Sequence, residues 1–483
     1  MAAIDVAIYL PRWTGDAEIH QVYAEHAAAG HWFEFDLGRT STGVTSPLWF
    51  LLSTALLRMG GVVFASYALK AIALGAFATT TWLLARLGER IAGKRVGFIT
   101  AAFFVADPTI AAHALTGLEC GLGALLIVAG TLVAIEGGAT RARVVGWSAL
   151  SAMAILTRPE LVLAIAPSAI VLAARRRTTR IHDALVALSI FVVAIGPYFL
   201  AQYRLTGELA PTSGMSRLLL ARRDAFVLGP LALHGRLLRR VFGSYAPVGA
   251  SLLVAAVTWR RRSIEVRMLL AQALAMLAFV TLAADGHGAL RYFTPCFPAS
   301  FLICALVVDE ARERWQCTTA FALSWMACAF AIDLGLRARD LDGYVAHHDH
   351  AHAPEERAAF TAAMLDRLGF TASPPARIAV TEVQLRWRVD ERIDVLSLDG
   401  RVDRLLVALT PTSTGCPDVA RYLVIRRADY VQAEHGCDCP ASLVCALEHD
   451  EARRVIGDVV HHDGLDFVWT GHEHTWRIVA RED

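Results

Sequence analysis

Residues 184–203 read ALVALSIFVVAIGPYFLAQY, an unbroken run without a charged side chain. A helix of that length is about 30 Å long, the thickness of a bilayer's hydrocarbon core, so the run predicts a membrane-spanning helix. Its single Gly and Pro are no objection, because spanning helices carry both more often than soluble helices do. Similar runs lie on either side. Their spacing predicts about ten spans, near 62–86, 96–113, 120–136, 144–157, 160–174, 184–203, 241–259, 265–283, 295–309 and 317–335. Composition agrees, with 55% of the 483 residues hydrophobic and 19% charged, against about 25% charged in average soluble domains. The fold class expected is a mainly α-helical polytopic membrane protein.

Some runs are short. Those at 144–157 and 160–174 read as half-helices meeting at a break, which lipid tolerates only where the freed backbone faces protein or water. The run 47–57 reads as an interfacial or re-entrant helix. Residues 1–13 (MAAIDVAIYLPRW) are too short to span and lack the features of a signal peptide, so a further helix is expected ahead of a loop that starts near Trp13.

Charges orient the set. Arg86, Arg90, Lys94 and Arg95 follow the first span, Arg141 and Arg143 the third, and Arg175, Arg176, Arg177 and Arg180 the fifth. Arg260, Arg261 and Arg262 follow the seventh, and Arg312 and Arg314 the ninth. Every second loop is basic and is expected to face the cytoplasm. The basic residues therefore serve topology, and the net charge of +1 points to no nucleic-acid partner. Three parts follow: an extracytoplasmic loop with interfacial helices over 1–61, a transmembrane body over 62–335, and an extracytoplasmic soluble domain over 336–483. One outer loop departs from the charge rule, with Arg217, Arg222, Arg223, Arg236, Arg239 and Arg240, and such clusters suit phosphate.

Four of nine cysteines, Cys416, Cys437, Cys439 and Cys445, fall in the tail. An exported domain oxidises them, so disulfides are expected ahead of zinc, whose common spacings they do not match. The tail alternates β-rich runs (378–382, 393–398, 422–426, 466–470, 475–480) with helical ones (355–368, 448–456), a pattern for a small α/β or α+β domain.

The expected outer loops hold the unusual polar residues. Asp16 and Glu18 open the first, Glu119 stands at the mouth of a span, and Arg158 and Glu160 flank Pro159. A later loop carries Asp285, His287, Arg291 and Tyr292. Ionisable groups at or within a membrane are costly and usually functional, and these share one face.

The motifs around them resemble a family. Gly15-Asp16-Ala17-Glu18-Ile19, Ala29-Gly30 and Gly43-Val44-Thr45-Ser46-Pro47-Leu48-Trp49 follow the order D-D-A-[YF]-I, A-x-G, G-Y-T-[NS]-P-L-W. Thr116-Gly117-Leu118-Glu119-Cys120, Thr157-Arg158-Pro159-Glu160-Leu161 and Arg291-Tyr292-Phe293-Thr294-Pro295 match S-G-L-E-T, T-R-P-E-G and R-Y-x-x-P. In the tail, Ile378-Ala379-Val380-Thr381-Glu382 and the run 393–400 resemble two strand motifs. This order resembles the C-type (GT-C) membrane glycosyltransferases that use polyprenyl-phosphate sugars, in the bacterial branch related to terminal arabinofuranosyltransferases and mannosyltransferase-like proteins. Departures are Gly15 for the first Asp, Glu18 for the aromatic, and Pro211-Thr212-Ser213-Gly214-Met215-Ser216-Arg217 for N-T-F-Y-A-K.

The resemblance implies a hexosyl- or pentosyltransferase of the bacterial cytoplasmic membrane, moving a sugar from the lipid carrier to a cell-envelope glycan, lipid or protein acceptor. Such a reaction needs a base for the acceptor hydroxyl and cations for the departing phosphate. A partly desolvated carboxylate suits the first task and an arginine fork the second. Asp16 is the expected base and Glu119 the second acid. Arg291, then Arg158, are expected to meet phosphate, with Glu18, Glu160 and Tyr292 lining the substrate site. The sequence fixes no cofactor, and Asp16 and Glu18 offer two carboxylates to a divalent cation such as Mg or Mn.

Each residue also has a structural reading. Asp16 and Glu119 can cap helices, Arg158 with Glu160 can brace the Pro break, and Arg291 can snorkel. His20, His26, His31 and the tract from His347 to His352 are expected to be solvated, and Trp49 and Tyr198 to be interfacial anchors. Two other classes stay open. A secondary transporter has similar spans but usually shows repeat symmetry, absent from this sequence. A non-catalytic membrane assembly protein is compatible with the substitutions at Gly15 and Glu18.

Overall fold

The computed structural model describes residues 15–36, 38–136, 140–175, 180–209, 246–283 and 292–315, six strands between 376 and 480, and positions 419, 423 and 425. Outside the described residues lie 1–13, the span 317–335, Arg291, the arginines of 217–240, the four tail cysteines, the helical runs 355–368 and 448–456, and His347 to His352.

The chain divides into two compact units. The first comprises Met1–Ala17, Ser46–Ala201 and Leu231–His350, the second Glu18–Thr45, Gln202–Pro230 and Ala351–Asp483. In chain order the elements begin with α1 (Gly15–Ala28), β1 (Glu34–Asp36), β2 (Arg39–Thr40), α2 (Pro47–Ala92), α3 (Lys94–Ala106) and α4 (Pro108–Leu115). Then come α5 (Cys120–Ile135), α6 (Arg141–Thr157), α7 (Val162–Arg175), α8 (Arg180–Thr206), α9 (Ala246–Val257), α10 (Ile264–Ala283) and α11 (Phe297–Trp315).

Among the described residues four stretches are long and apolar enough to cross a membrane: Pro47–Ala92, Ile181–Thr206, Ile264–Thr281 and Thr294–Glu313. In α8, Leu185, Leu188, Val192, Val193 and Leu200 are all more than half exposed. Water would penalise such a face by about 25 cal/mol per Å², and hydrocarbon imposes no such cost. The chain is thus a polytopic membrane protein, and the run that fixes its class faces lipid.

The structure corrects two expectations and places the run 47–57. The span 96–113 is two helices, because buried Asp107 caps α4 by accepting from the Ile110 amide at 3.0 Å while Pro108 takes the first helical position. The run 47–57 belongs to a first arm of α2 that ends at Gly61, whose φ of 72° only glycine adopts readily. Trp49 packs in one cluster with Leu69 and Ala73, which a straight helix would hold about 30 Å or more away, so the chain doubles back at Gly61. Finally, α6 and α7 are not half-helices meeting at a break. Arg143, from the start of α6, donates to the Glu136 carbonyl at 2.7 Å, and Arg175, from the end of α7, donates to the Ile135 carbonyl. Both ends therefore sit at the C-terminus of α5, and α6 and α7 form an antiparallel hairpin turned at Pro159.

The second unit contains a six-stranded sheet of order β4-β3-β5-β8-β7-β6. Here β3 (Ala376–Val380) pairs in parallel with β4 (Ile393–Ser397) and β5 (Tyr430–Gln432). The other pairs, through β8 (Thr475–Ala480), β7 (Leu465–Trp469) and β6 (Val459–His462), are antiparallel. The expected strand 422–426 is instead helical at Leu423 and Ile425. Val419 and Leu423 are buried and Ile425 is half exposed, a helical spacing that a short apolar run does not declare.

In the same unit β1 lies against β4. Tyr23 is fully buried, packs its ring tilted against Phe35 at 5.3 Å between centroids, shares a hydrogen bond with Ser41 and accepts from the Gly43 amide at 3.1 Å. His20, expected in solvent, is buried with Nε2 3.2 Å from the Thr45 hydroxyl.

Candidate functional site

The site is built on two turns of the first unit. After α4 ends, the Thr116 hydroxyl donates back to the Ala112 carbonyl at 2.7 Å, and Gly117 takes the left-handed conformation at φ 87°. That reversal sets Glu119 at the N-cap of α5, with its carbonyl accepting from the Gly123 amide at 2.9 Å. Its side chain makes no capping bond. It is fully buried, and Oε1 instead accepts from Arg158 Nε at 2.6 Å.

Arg158 reaches this point because Pro159 disfavours helix at the residue before it. Arg158 is extended (φ −155°, ψ 122°) and leaves the axis of α6. Its side chain is 3% exposed, and Nη1 donates to Glu160 Oε1 at 2.9 Å. The guanidinium also sits 4.7 Å from the ring centroid of Tyr292, where the ring's negative face favours a cation. Burial disfavours the charge on Arg158, but Glu119 and Glu160 more than offset this and raise its pKa well above the usual value. The arginine is permanently charged between two carboxylates.

Two further contacts converge here. His113 Nδ1 lies 2.8 Å from the Thr294 hydroxyl, joining α4 to the turn after Tyr292. Ala17 packs with Leu118 and Cys120, the residues on either side of Glu119. The residue after Asp16 therefore touches the neighbours of Glu119. Asp16 and Glu18 lie in the first turn of α1, where the helix dipole favours anions, and the structure describes their backbone. Among the described residues no three His, Cys, Asp or Glu side chains form a metal site.

Of the residues singled out in the sequence, Glu119, Arg158, Glu160 and Tyr292 are brought together, and Asp16 is adjacent through Ala17. Arg291 lies outside the described residues. Sequence reasoning missed Trp49 and Lys70. Trp49 is 1% exposed rather than interfacial, and its indole donates to the Gly117 carbonyl at 3.0 Å. Tyr198 is likewise buried. Lys70 is 7% exposed inside an apolar run and donates to the Leu115 carbonyl at 2.8 Å. A lone lysine within a span was the available signal.

No protein-family model matches the chain, and no curated protein sequence does. Solved structures do resemble it. ArnT from Cupriavidus metallidurans bound to undecaprenyl phosphate superposes with a TM-score of 0.54 at 14% identity, over 88% of this chain and 89% of that one. The same protein in its apo state gives a TM-score of 0.55 at 16% identity, over 89% and 91%. The likeness shows the fold, which is GT-C-like as the motifs implied.

Proposed function

We propose that the chain is a membrane glycosyltransferase that moves a sugar from a polyprenyl-phosphate carrier to a cell-envelope acceptor on the extracytoplasmic face. The observation that carries this reading is the buried Glu119–Arg158–Glu160 cluster beside Tyr292, with Ala17 packed next to Glu119. The GT-C-like fold supports it, since the similar ArnT structure holds undecaprenyl phosphate.

In this reading Asp16 takes the proton of the acceptor hydroxyl as its oxygen attacks the anomeric carbon. The carbon–oxygen bond to phosphate breaks, and the polyprenyl phosphate leaves with the electron pair. Arg291 grips that phosphate with its planar fork. Arg158, saturated by carboxylates, fixes Glu119, which orients the sugar and the attacking group. The membrane body, the outer loop and the tail domain correspond to 62–335, 1–61 and 336–483, with the tail assigned to acceptor recognition. Transfer to the branch of arabinofuranosyl- and mannosyltransferase-like enzymes rests on the ordered motifs.

The test is turnover by detergent-purified protein supplied with radiolabelled polyprenyl-phosphate pentose or hexose and a cell-envelope extract as acceptor. Label appearing in the acceptor supports the reading. Donor that stays intact with every sugar and acceptor fraction, or label that moves across liposome membranes unreacted, would replace it with an assembly protein or a transporter.

A further inference from the structure

The chain between α4 and α5 is held by two donors that the proposed chemistry does not use. Lys70 and Trp49 lie on the two arms of α2, brought together by the reversal at Gly61. Lys70 Nζ donates to the Leu115 carbonyl at 2.8 Å, and Trp49 Nε1 donates to the Gly117 carbonyl at 3.0 Å. Leu115 is the last residue of α4, where unpaired carbonyls and the negative end of the helix dipole favour a cation. Gly117 is the left-handed residue of the turn. Two residues later comes Glu119, fully buried and 2.6 Å from Arg158.

We infer that Lys70 and Trp49 are positioning residues: the folded-back helix α2 clamps the 115–117 backbone and thereby sets the Glu119 carboxylate against Arg158. This rests on the assignment of Glu119 to the transferase site. The physical case is economy of placement. A lysine in an apolar span is costly, and this one bonds the Leu115 carbonyl at the turn itself, whereas the Thr116 hydroxyl holds only the Ala112 carbonyl one turn back. What the ammonium and the indole add is two fixed points on a turn that otherwise swings about Gly117. A carboxylate displaced by about 1 Å loses much of its catalytic contribution, so the clamp acts on turnover rather than on donor capture.

The experiment uses the full chain in detergent, with Lys70→Met, Lys70→Arg and Trp49→Phe. Hydrogen exchange is read at residues 115–119 and at α10 as a remote control, together with kcat and the donor KM. Lys70→Met is expected to speed exchange at 115–119 at least tenfold while leaving α10 protected. It is expected to lower kcat about tenfold with KM within twofold, and Lys70→Arg to restore most of both. Trp49→Phe is expected to show the same pattern more weakly. Unchanged exchange at 115–119, or faster exchange throughout the helices without rescue by arginine, overturns the clamp. Should the wild-type protein transfer no sugar, the transferase reading fails while the exchange comparison still decides whether the clamp exists.

Discussion

The two ends of the helical body treat charge in opposite ways. At one end Glu119 and Arg158 have side chains no more than 3% exposed. At the other, Arg175 meets Glu265 at 2.6 Å with both side chains about a quarter exposed, and Arg95 and Arg312 share Asp309 at 3.8 and 3.3 Å. Arg262 pairs there with the exposed Glu310. Exposed pairs contribute about 0–1 kcal/mol each, and their arginines fit the charge rule for expected cytoplasmic loops. Each buried ion forfeits several kcal/mol of hydration that pairing only returns, and apolar side chains of equal volume would stabilise as well. The expected topology accounts for the wet end. Stability does not explain the dry one, which is better understood as a held chemical arrangement.

That contrast can be broken most severely at Asp16. Asn keeps the shape and the capacity to cap a helix but cannot take a proton. Asp16→Asn is expected to lower turnover by roughly 10²–10⁴ with donor binding and melting unchanged; near-normal transfer would move the base to Glu18 or Glu119. Next comes Arg158→Met, which strands Glu119 in a dry site. It is expected to destabilise the protein by about 3–5 kcal/mol in denaturant titrations, with most of the loss recovered by adding Glu119→Gln. A loss below about 1 kcal/mol would make the two ends equivalent.

Arg291→Ala is expected to weaken donor binding about tenfold or more, and Arg291→Lys to recover part of it, as read by competition with unlabelled polyprenyl phosphate. Equal affinity in both variants would make Arg291 structural. The smallest effect belongs to the wet end, where Arg175→Met is expected to cost less than about 1 kcal/mol and to leave transfer unchanged.

Hydropathy made the spans legible, because lipid demands long apolar runs and 184–203 has no other solvent. It could not distinguish a half-helix from a short crossing. That distinction lies in where Arg143 and Arg175 find carbonyls, and such partners are remote in sequence. The break at Asp107 was written in an Asp-Pro pair but hidden within an apolar average. For the candidate site, motif order singled out Glu119, Arg158, Glu160 and Tyr292, which the fold brings together, since a charge in an apolar context stands out. Which carboxylate each arginine bond would meet depended on φ at Arg158 and Gly117. Trp49 misled because an indole at a helix start has the same composition whether it faces headgroups or a neighbouring turn.

The helices that carry the site are short. From the turn at Glu119 and Arg158 to their other ends, α5, α6 and α7 have 16, 17 and 14 residues, which makes them about 24, 26 and 21 Å long. A bilayer core is about 30 Å thick, so this sector carries a hydrophobic mismatch of several Å. Where these helices face lipid, the bilayer would thin to meet them. If the chain is the proposed transferase, such a shallow sector would let a lipid-borne phosphate approach the buried cluster with its polyprenyl chain still in hydrocarbon.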